Sequence, residues 1–400
     1  VDLRNECLPR HVAATDSLVA VACREKRAVL SAFEFRSVGS ETTLVTSEVQ
    51  RWFLDFIPHS IALRADGEAM AVGGAASGLA VFAKTNSSWR NHPQVPAAVL
   101  QDRVNALAFS PNGKLLAVAT GGWEKGGLVL VRLDPTAPSA TLPCDACSFH
   151  KWATTVAFSS CGQFLLVGSS DQTVKVFELG VTEARVLRHP GPVPWQERDE
   201  HSLKWHDANL HYSPAPLGGV ALMDILSNNE YSTHPNNFIT QAVWLEQAED
   251  PICFAVASFE SNIRTYCHNA TAQRFQLHRH LRGNHGPAVS IVPLYKRFVV
   301  GFHDGYCALC KVDDGADAPC WREWRCITGN SPLRALALQG NLLVVAGYDK
   351  VSLISLHLDT VKNDGETIDV LPVPLSDEAG WRRAVYDPTL TATNHPADTN

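Results

Sequence analysis

The segment TTVAFSSCGQFLLVGSSDQTVKVFEL, Thr154 to Leu179, holds three short apolar runs separated by two polar turns. The middle run, Phe164 to Val167, is unbroken, whereas the last alternates through Val174 and Val176. Alternation with period two marks a strand with one face in a core, and a short unbroken run bounded by turns suits a strand buried on both faces. The same order appears in VNALAFSPNGKLLAVATG, Val104 to Gly121, so the chain repeats a supersecondary unit of strands.

Five further segments align with these two: His11 to Phe33, Ser60 to Phe82, Ile239 to Tyr266, Ala288 to Cys310 and Leu333 to Leu356. The end of the third run falls at Phe33, Phe82, Arg132, Phe177, Tyr266, Cys310 and Ser355, with spacings of 49, 50, 45, 89, 44 and 45 residues. Ala65-Asp66-Gly67, Pro111-Asn112-Gly113 and Ser160-Cys161-Gly162 occupy one position, where a tight hairpin needs a residue at positive φ. Phe109 and Phe158, at the ends of first strands, are expected in the core.

The V-x-x-L-A-F-S-P-x-G-x-x-L-A stretch of the third unit and Gly168 to Phe177 of the fourth, GSSDQTVKVF, resemble the WD40 repeat. That resemblance implies an all-β fold, a seven-bladed WD40-like β-propeller with a long insertion between blades 4 and 5. Asp304 and Asp349 hold the turn position of Asp171, but no unit ends in Trp-Asp. The family's link from a histidine to the turn aspartate is open only to His285, of the single His-Gly, with Asp304. Kelch and sialidase propellers fit poorly, because neither a regular Gly-Gly doublet nor an S-x-D-x-G-x-T-W box recurs. Four-stranded blades must close into a ring to leave no bare edge. The missing strand of the seventh blade comes either from Asp2 to Leu8 or from Thr367 to Val373, and both remain open.

The doubled spacing places an insertion at about 181–238 within a single propeller of residues 1–375, followed by a tail of residues 376–400. Six prolines between Leu187 and Phe238 argue against an eighth blade there, since proline removes ladder donors. Trp195, Trp205 and Tyr212 in this segment and Trp381 in the tail are aromatic residues of the kind that anchor interfaces.

A net charge of -7 over 400 residues gives no global basic field for nucleic acid. No apolar run approaches the ~20 residues of a membrane-spanning helix. VDLRNECLPR lacks the apolar core of a signal peptide. Eleven cysteines, among them Cys23, Cys161, Cys253 and Cys267, lie singly in strand patterns, which reads as buried thiols of a cytoplasmic or nuclear protein.

Phosphate-binding, dinucleotide-binding, zinc-protease and serine-hydrolase motifs are absent from the sequence, and no cofactor or small-molecule substrate is expected. Cys144-x-x-Cys147-x-x-His150 offers three ligands where structural zinc takes four, so no metal is assigned. Cys307 and Cys310, three apart on one strand, point to opposite faces. A basic and aromatic surface is expected on blades 5 and 6 from Arg279 and Arg282 with Trp321 and Arg325. The resemblance implies a non-catalytic scaffold for protein–protein interaction, a subunit of a larger protein or ribonucleoprotein complex. The alternative is an RNA-binding subunit using that surface, since cations and stacking rings suit single-stranded RNA.

Overall fold

The computed structural model of the chain describes residues 8–38, 41–92, 100, 102–122, 125–133, 148–162, 164–171, 174–179, 203–206, 239–245, 252–259, 262–269, 274–282, 285–294, 297–311, 321–326, 332–340, 342–348, 351–358 and 368–372. These form seven antiparallel sheets of four strands, and among the described residues no helix is long and apolar enough to cross a membrane.

Blade 1 comprises β1 (Pro9–Ala14), β2 (Leu18–Cys23), β3 (Arg27–Val38) and β4 (Glu41–Phe53), and blade 2 comprises β5 (Pro58–Leu63), β6 (Ala69–Gly74), β7 (Leu79–Thr85) and β8 (Ser88–Asn91). Blade 3 holds β9 (Val104–Phe109), β10 (Leu115–Gly121), β11 (Gly126–Arg132) and β12 (Ser148–Phe149). Blade 4 holds β13 (Ala153–Phe158), β14 (Phe164–Ser169), β15 (Val174–Leu179) and β16 (Leu203–His206). In blade 5 are β17 (Ile239–Leu245), β18 (Cys253–Ser258), β19 (Asn262–Asn269) and β20 (Arg274–Arg282). Blade 6 runs through β21 (Ala288–Leu294), β22 (Arg297–Phe302), β23 (Tyr306–Lys311) and β24 (Trp321–Arg325). Blade 7 runs through β25 (Leu333–Gln339), β26 (Leu342–Gly347), β27 (Val351–Leu358) and β28 (Ile368–Pro372). The first strand of each blade packs on the first strand of the next, and β25 packs on β1, so the ring is closed.

The unbroken apolar runs are the second strands. Leu116 and Val118 of β10 face blade 2, while Ala117 and Ala119 face blade 4. Likewise Leu343 and Val345 of β26 face blade 6, and Leu342, Val344 and Ala346 face blade 1. Alternate side chains leave opposite faces of a strand, so a strand sandwiched between two blades is apolar at successive positions along its middle. The core is accordingly divided into seven clusters, one in each gap between blades. The hairpin glycines behave as the sequence implies: Gly67, Gly113 and Gly162 have φ of 71°, 71° and 67°. Each donates its N–H to a carbonyl three residues back, at 2.8 Å.

The seventh blade takes its fourth strand from the C-terminal alternative, because β28 pairs with β27 through Ser355 opposite Leu371 and Leu356 opposite Val370. Among the described residues no strand is exchanged at the seam; of the N-terminal alternative, residues 2–7 lie outside them. It is sealed by Val12, Val21 and Val29 packed on Val344, Val351 and Leu353, and by a hydrogen bond from Gln339 Nε2 to Asp16 Oδ1 of 2.7 Å.

Three expectations change. The segment read as insertion contains β16, so blade 4 draws its outer strand from within 181–238; residues 180–202 and 207–238 lie outside the described residues. The cysteines are not all isolated thiols. Cys253 on β18 is bonded to Cys267 directly opposite on β19, Cys307 to Cys326, and Cys23 is also in a disulfide. These pairs take those cysteines out of the set of buried free thiols. Cys307 and Cys310 do face opposite sides, toward blades 7 and 5 respectively. Finally, Phe109 and Phe158 are only half-buried, because the end of an inner strand lies beside the channel rather than between blades.

Fully enclosed rings sit farther out, as Phe254 does on β18, Phe298 on β22 and Phe177 on β15, each at 0% exposure. Phe298→Ala should cost about 3–5 kcal/mol through the cavity it leaves, and Phe109→Ala about 1–2 kcal/mol, as suits partial burial. Urea titration of the two variants checks the order; equal losses would mean the gaps between blades are not the core.

Candidate functional site

In every blade the ladder between first and second strand slips by one residue near the start of the first strand. The extra residues are Arg10, His59, Asn105, Thr154, Thr240, Val289 and Arg334, seven bulges at one mouth of the channel. A bulge bends its strand and re-aims a side chain. Just beyond each, the paired second-strand residue is small: Ala22, Gly73, Ala119, Gly168, Ala257, Gly301 or Ala346. The next blade explains this. A Cβ on Gly168 would lie 2.8 Å from Ile239, one on Gly301 would lie 2.9 Å from Leu333, and one on Gly73 would collide with Val104.

Several bulge side chains stitch blade to blade. Asn105 Nδ2 donates to the Ala153 carbonyl at 3.0 Å, and Thr240 Oγ1 to that of Ala288 at 2.6 Å. Blades 7, 1 and 2 place Arg334, Arg10 and His59 there, and the tie between blades 1 and 2 runs between two bulge side chains. Arg10 Nη1 donates to His59 Nδ1 at 2.7 Å; an arginine has no acceptor, so the imidazole nitrogen must accept. Burial first, then Arg10 and Arg103, hold the His59 pKa down at about 4, which keeps the ring neutral and the acceptor available. Arg10, Arg24, Arg334 and His59, with Tyr348, line a cavity of about 300 Å³. The Arg334 guanidinium lies over the Tyr348 ring, 5.4 Å from its centre, and that of Arg103 lies over Trp152 at 5.5 Å.

On the same face, carboxylates of the second hairpin turn clasp the chain entering a blade. Glu25 Oε2 accepts from Leu8 N–H at 2.8 Å and Asp171 Oδ2 from His150 N–H at 2.9 Å. In blade 6, Asp304 Oδ2 meets His285 Nδ1 at 2.8 Å, the pair the sequence allowed, and the His285 ring stacks on Tyr306 at 4.1 Å. Blade 3 reverses the charges, with Lys125 in the turn 3.8 Å from Asp102.

The residues singled out from sequence lie elsewhere. Trp205, Arg279, Arg282, Trp321 and Arg325 fall on β16, β20 and β24, the outermost strands of blades 4, 5 and 6, away from the channel mouth. Arg325 is exposed and lies over the Tyr306 ring at 5.7 Å. Trp195, Tyr212, Trp381, Cys144 and Cys147 lie outside the described residues. Among the described residues no group of three histidines, cysteines or carboxylates is placed to hold a metal ion. Arg10, His59 and Arg334 escaped notice because each is a single polar residue ahead of an apolar run. Aligning the units on the small residue of the second strand would have put them in one column.

The family model for the WD domain, G-beta repeat, matches residues 94–126 and 143–178, in blades 3 and 4. No curated protein matches the chain in sequence. Among solved structures, the chain is similar to Sqt1 of Chaetomium thermophilum bound to the N-terminus of the ribosomal protein L10, with a TM-score of 0.55 at 15% identity. The likeness covers 85% of this chain and 82% of that one, and at this identity it is a likeness of fold.

Burial likewise lowers the His11 pKa to about 4, and its Nδ1 is shut off from solvent. In the unfolded chain both imidazoles take a proton near the ordinary value of about 6.5. Between those values the unfolded state holds more protons, so stability is present above the window and is lost as pH falls through it. Urea midpoints should drop between pH 7 and 5.5, and drop less in a His11→Asn/His59→Asn protein; an equal drop would remove these two rings as its source.

Proposed function

We propose that this WD40-repeat β-propeller is a non-catalytic scaffold that binds a segment of a protein partner at the channel mouth and serves as a subunit of a larger complex. The observation that carries the reading is the ring of seven bulges. One face of a rigid frame presents side chains from every blade, and in three consecutive blades those side chains are Arg334, Arg10 and His59, which line one cavity, whereas Asn105 and Thr240 only tie blade to blade. Sites on rigid elements hold their groups more accurately than sites on loops. That a propeller of similar fold is found bound to the N-terminus of a ribosomal protein supports the same use of this frame.

An RNA-binding subunit is the competing assignment, and it places contact on the outer strands at Arg279 and Arg325. Cross-linking and size measurement of the endogenous protein separate the two. The scaffold reading expects an assembly well above 43.6 kDa that survives ribonuclease and cross-links to a protein at the channel mouth. Elution as a lone monomer would overturn it. Collapse under ribonuclease, with loss of assembly in Arg279→Glu/Arg325→Glu, would replace it with the RNA reading.

A further inference from the structure

The chain carries a net charge of -7, yet Arg10, Arg24, Arg103 and Arg334 gather at the channel mouth on blades 7, 1 and 3, with His59 of blade 2 among them. Their neighbourhood is repulsive. The Arg10 pKa is lowered by burial and then by Arg24, Arg334 and Arg103 in turn. Among the described residues none of the four has a carboxylate within ion-pairing distance. The carboxylate that acts on Arg10 is that of Glu25, whose Oε2 already accepts the Leu8 N–H. Arg10 is held in place by His59, while Arg24 and Arg334 are exposed at the rim of the cavity. A fixed guanidinium flanked by two exposed ones, around about 300 Å³, matches a few anionic oxygens, since guanidinium forks bind carboxylate and phosphate in planar pairs.

We infer that this arginine pocket binds an anionic peptide segment, recognising clustered carboxylates or a phosphorylated side chain through Arg10, Arg24 and Arg334. The inference rests on the scaffold reading and adds the chemistry of the partner's segment. The alternative of nucleic acid is disfavoured by the same residues. Single-stranded recognition depends on aromatic faces for stacking bases, and at this mouth Tyr348 and Trp152 each already carry a guanidinium, of Arg334 and Arg103, on one face. A long polyanion would also meet the negative charge of the remaining surface.

The test is fluorescence anisotropy of the purified full chain with four labelled probes: a hexaglutamate peptide, a phosphoserine peptide, its unphosphorylated serine form, and oligouridine. The inference expects binding of the hexaglutamate or the phosphoserine peptide, whichever source the pocket prefers, and none of the serine form. Binding should weaken as salt rises and fall at least about tenfold in Arg10→Ala/Arg334→Ala and in Arg24→Ala. Arg24 makes no side-chain hydrogen bond among the described residues, so its variant reports on binding free of any change in fold. Lys84→Ala, which removes an exposed pair with Glu68 on blade 2, should bind as the parent does. Absence of binding to both acidic peptides, or binding unmoved by the pocket variants, overturns the inference, as does oligouridine binding through the same arginines without either peptide. Such a failure in a protein whose native assembly persists refutes the anionic chemistry alone, whereas a lone native monomer refutes the scaffold.

Discussion

The second strand of each blade is pressed between two neighbours, and the rest of the molecule answers to that constraint. Because both of its faces are enclosed, it is apolar except near its ends and contributes to two core clusters at once, as Leu116 and Ala117 do on opposite sides of β10. Each well-buried aliphatic side chain there is worth roughly 1.5–3 kcal/mol, so the gaps between blades carry most of the packing energy. The strands farther out have one face in water and tolerate the charges of Arg279 and Arg325. The first strands have one side on the channel, which is why Phe109 and Phe158 keep part of their surface.

The same crowding sets the geometry of the channel mouth. Where the next blade's first strand approaches, the second strand has room only for glycine or alanine, and the first strand opposite it bulges. Function then needs no special loop. A bulge residue such as Arg334, where other blades have Asn105 or Thr240, replaces a cross-blade tie by an exposed guanidinium with no alteration of the frame. The glycines at Gly73, Gly168 and Gly301 are therefore constraints on packing rather than on backbone conformation, unlike Gly113, whose φ of 71° is what its turn demands.

What was legible in the sequence follows from this physics. Unbroken runs such as LLAVA and FLLVG state two-sided burial, and Asn112-Gly113 states a hairpin, so the number of blades and their boundaries could be read. The approach of His285 to Asp304 was legible because both positions are fixed within one repeat. A bulge was not, because it exists only relative to a partner strand, and Arg10 looks like any polar residue until the register to Ala22 is known. The pairing of Cys253 with Cys267 depends on register in the same way. Outer-strand aromatics and arginines drew attention by composition, which measures neither convergence nor distance from the channel.

Because blade 1 is complete at Phe53 and each later blade also comes from one contiguous stretch, no sheet waits for a strand from the far end of the chain. During translation the blades can form in the order in which they leave the ribosome, each docking on a finished neighbour. Such docking confines contacts to a blade and its neighbours in the chain, which limits the time that edges stand bare. The exception is the last event, when Gln339 meets Asp16 across a separation of 323 residues. Until that moment the half-built ring exposes an apolar flank at either end, Val12 and Val21 on one side and Val344 and Leu353 on the other, and it is there that a nascent chain of this protein would call on a chaperone.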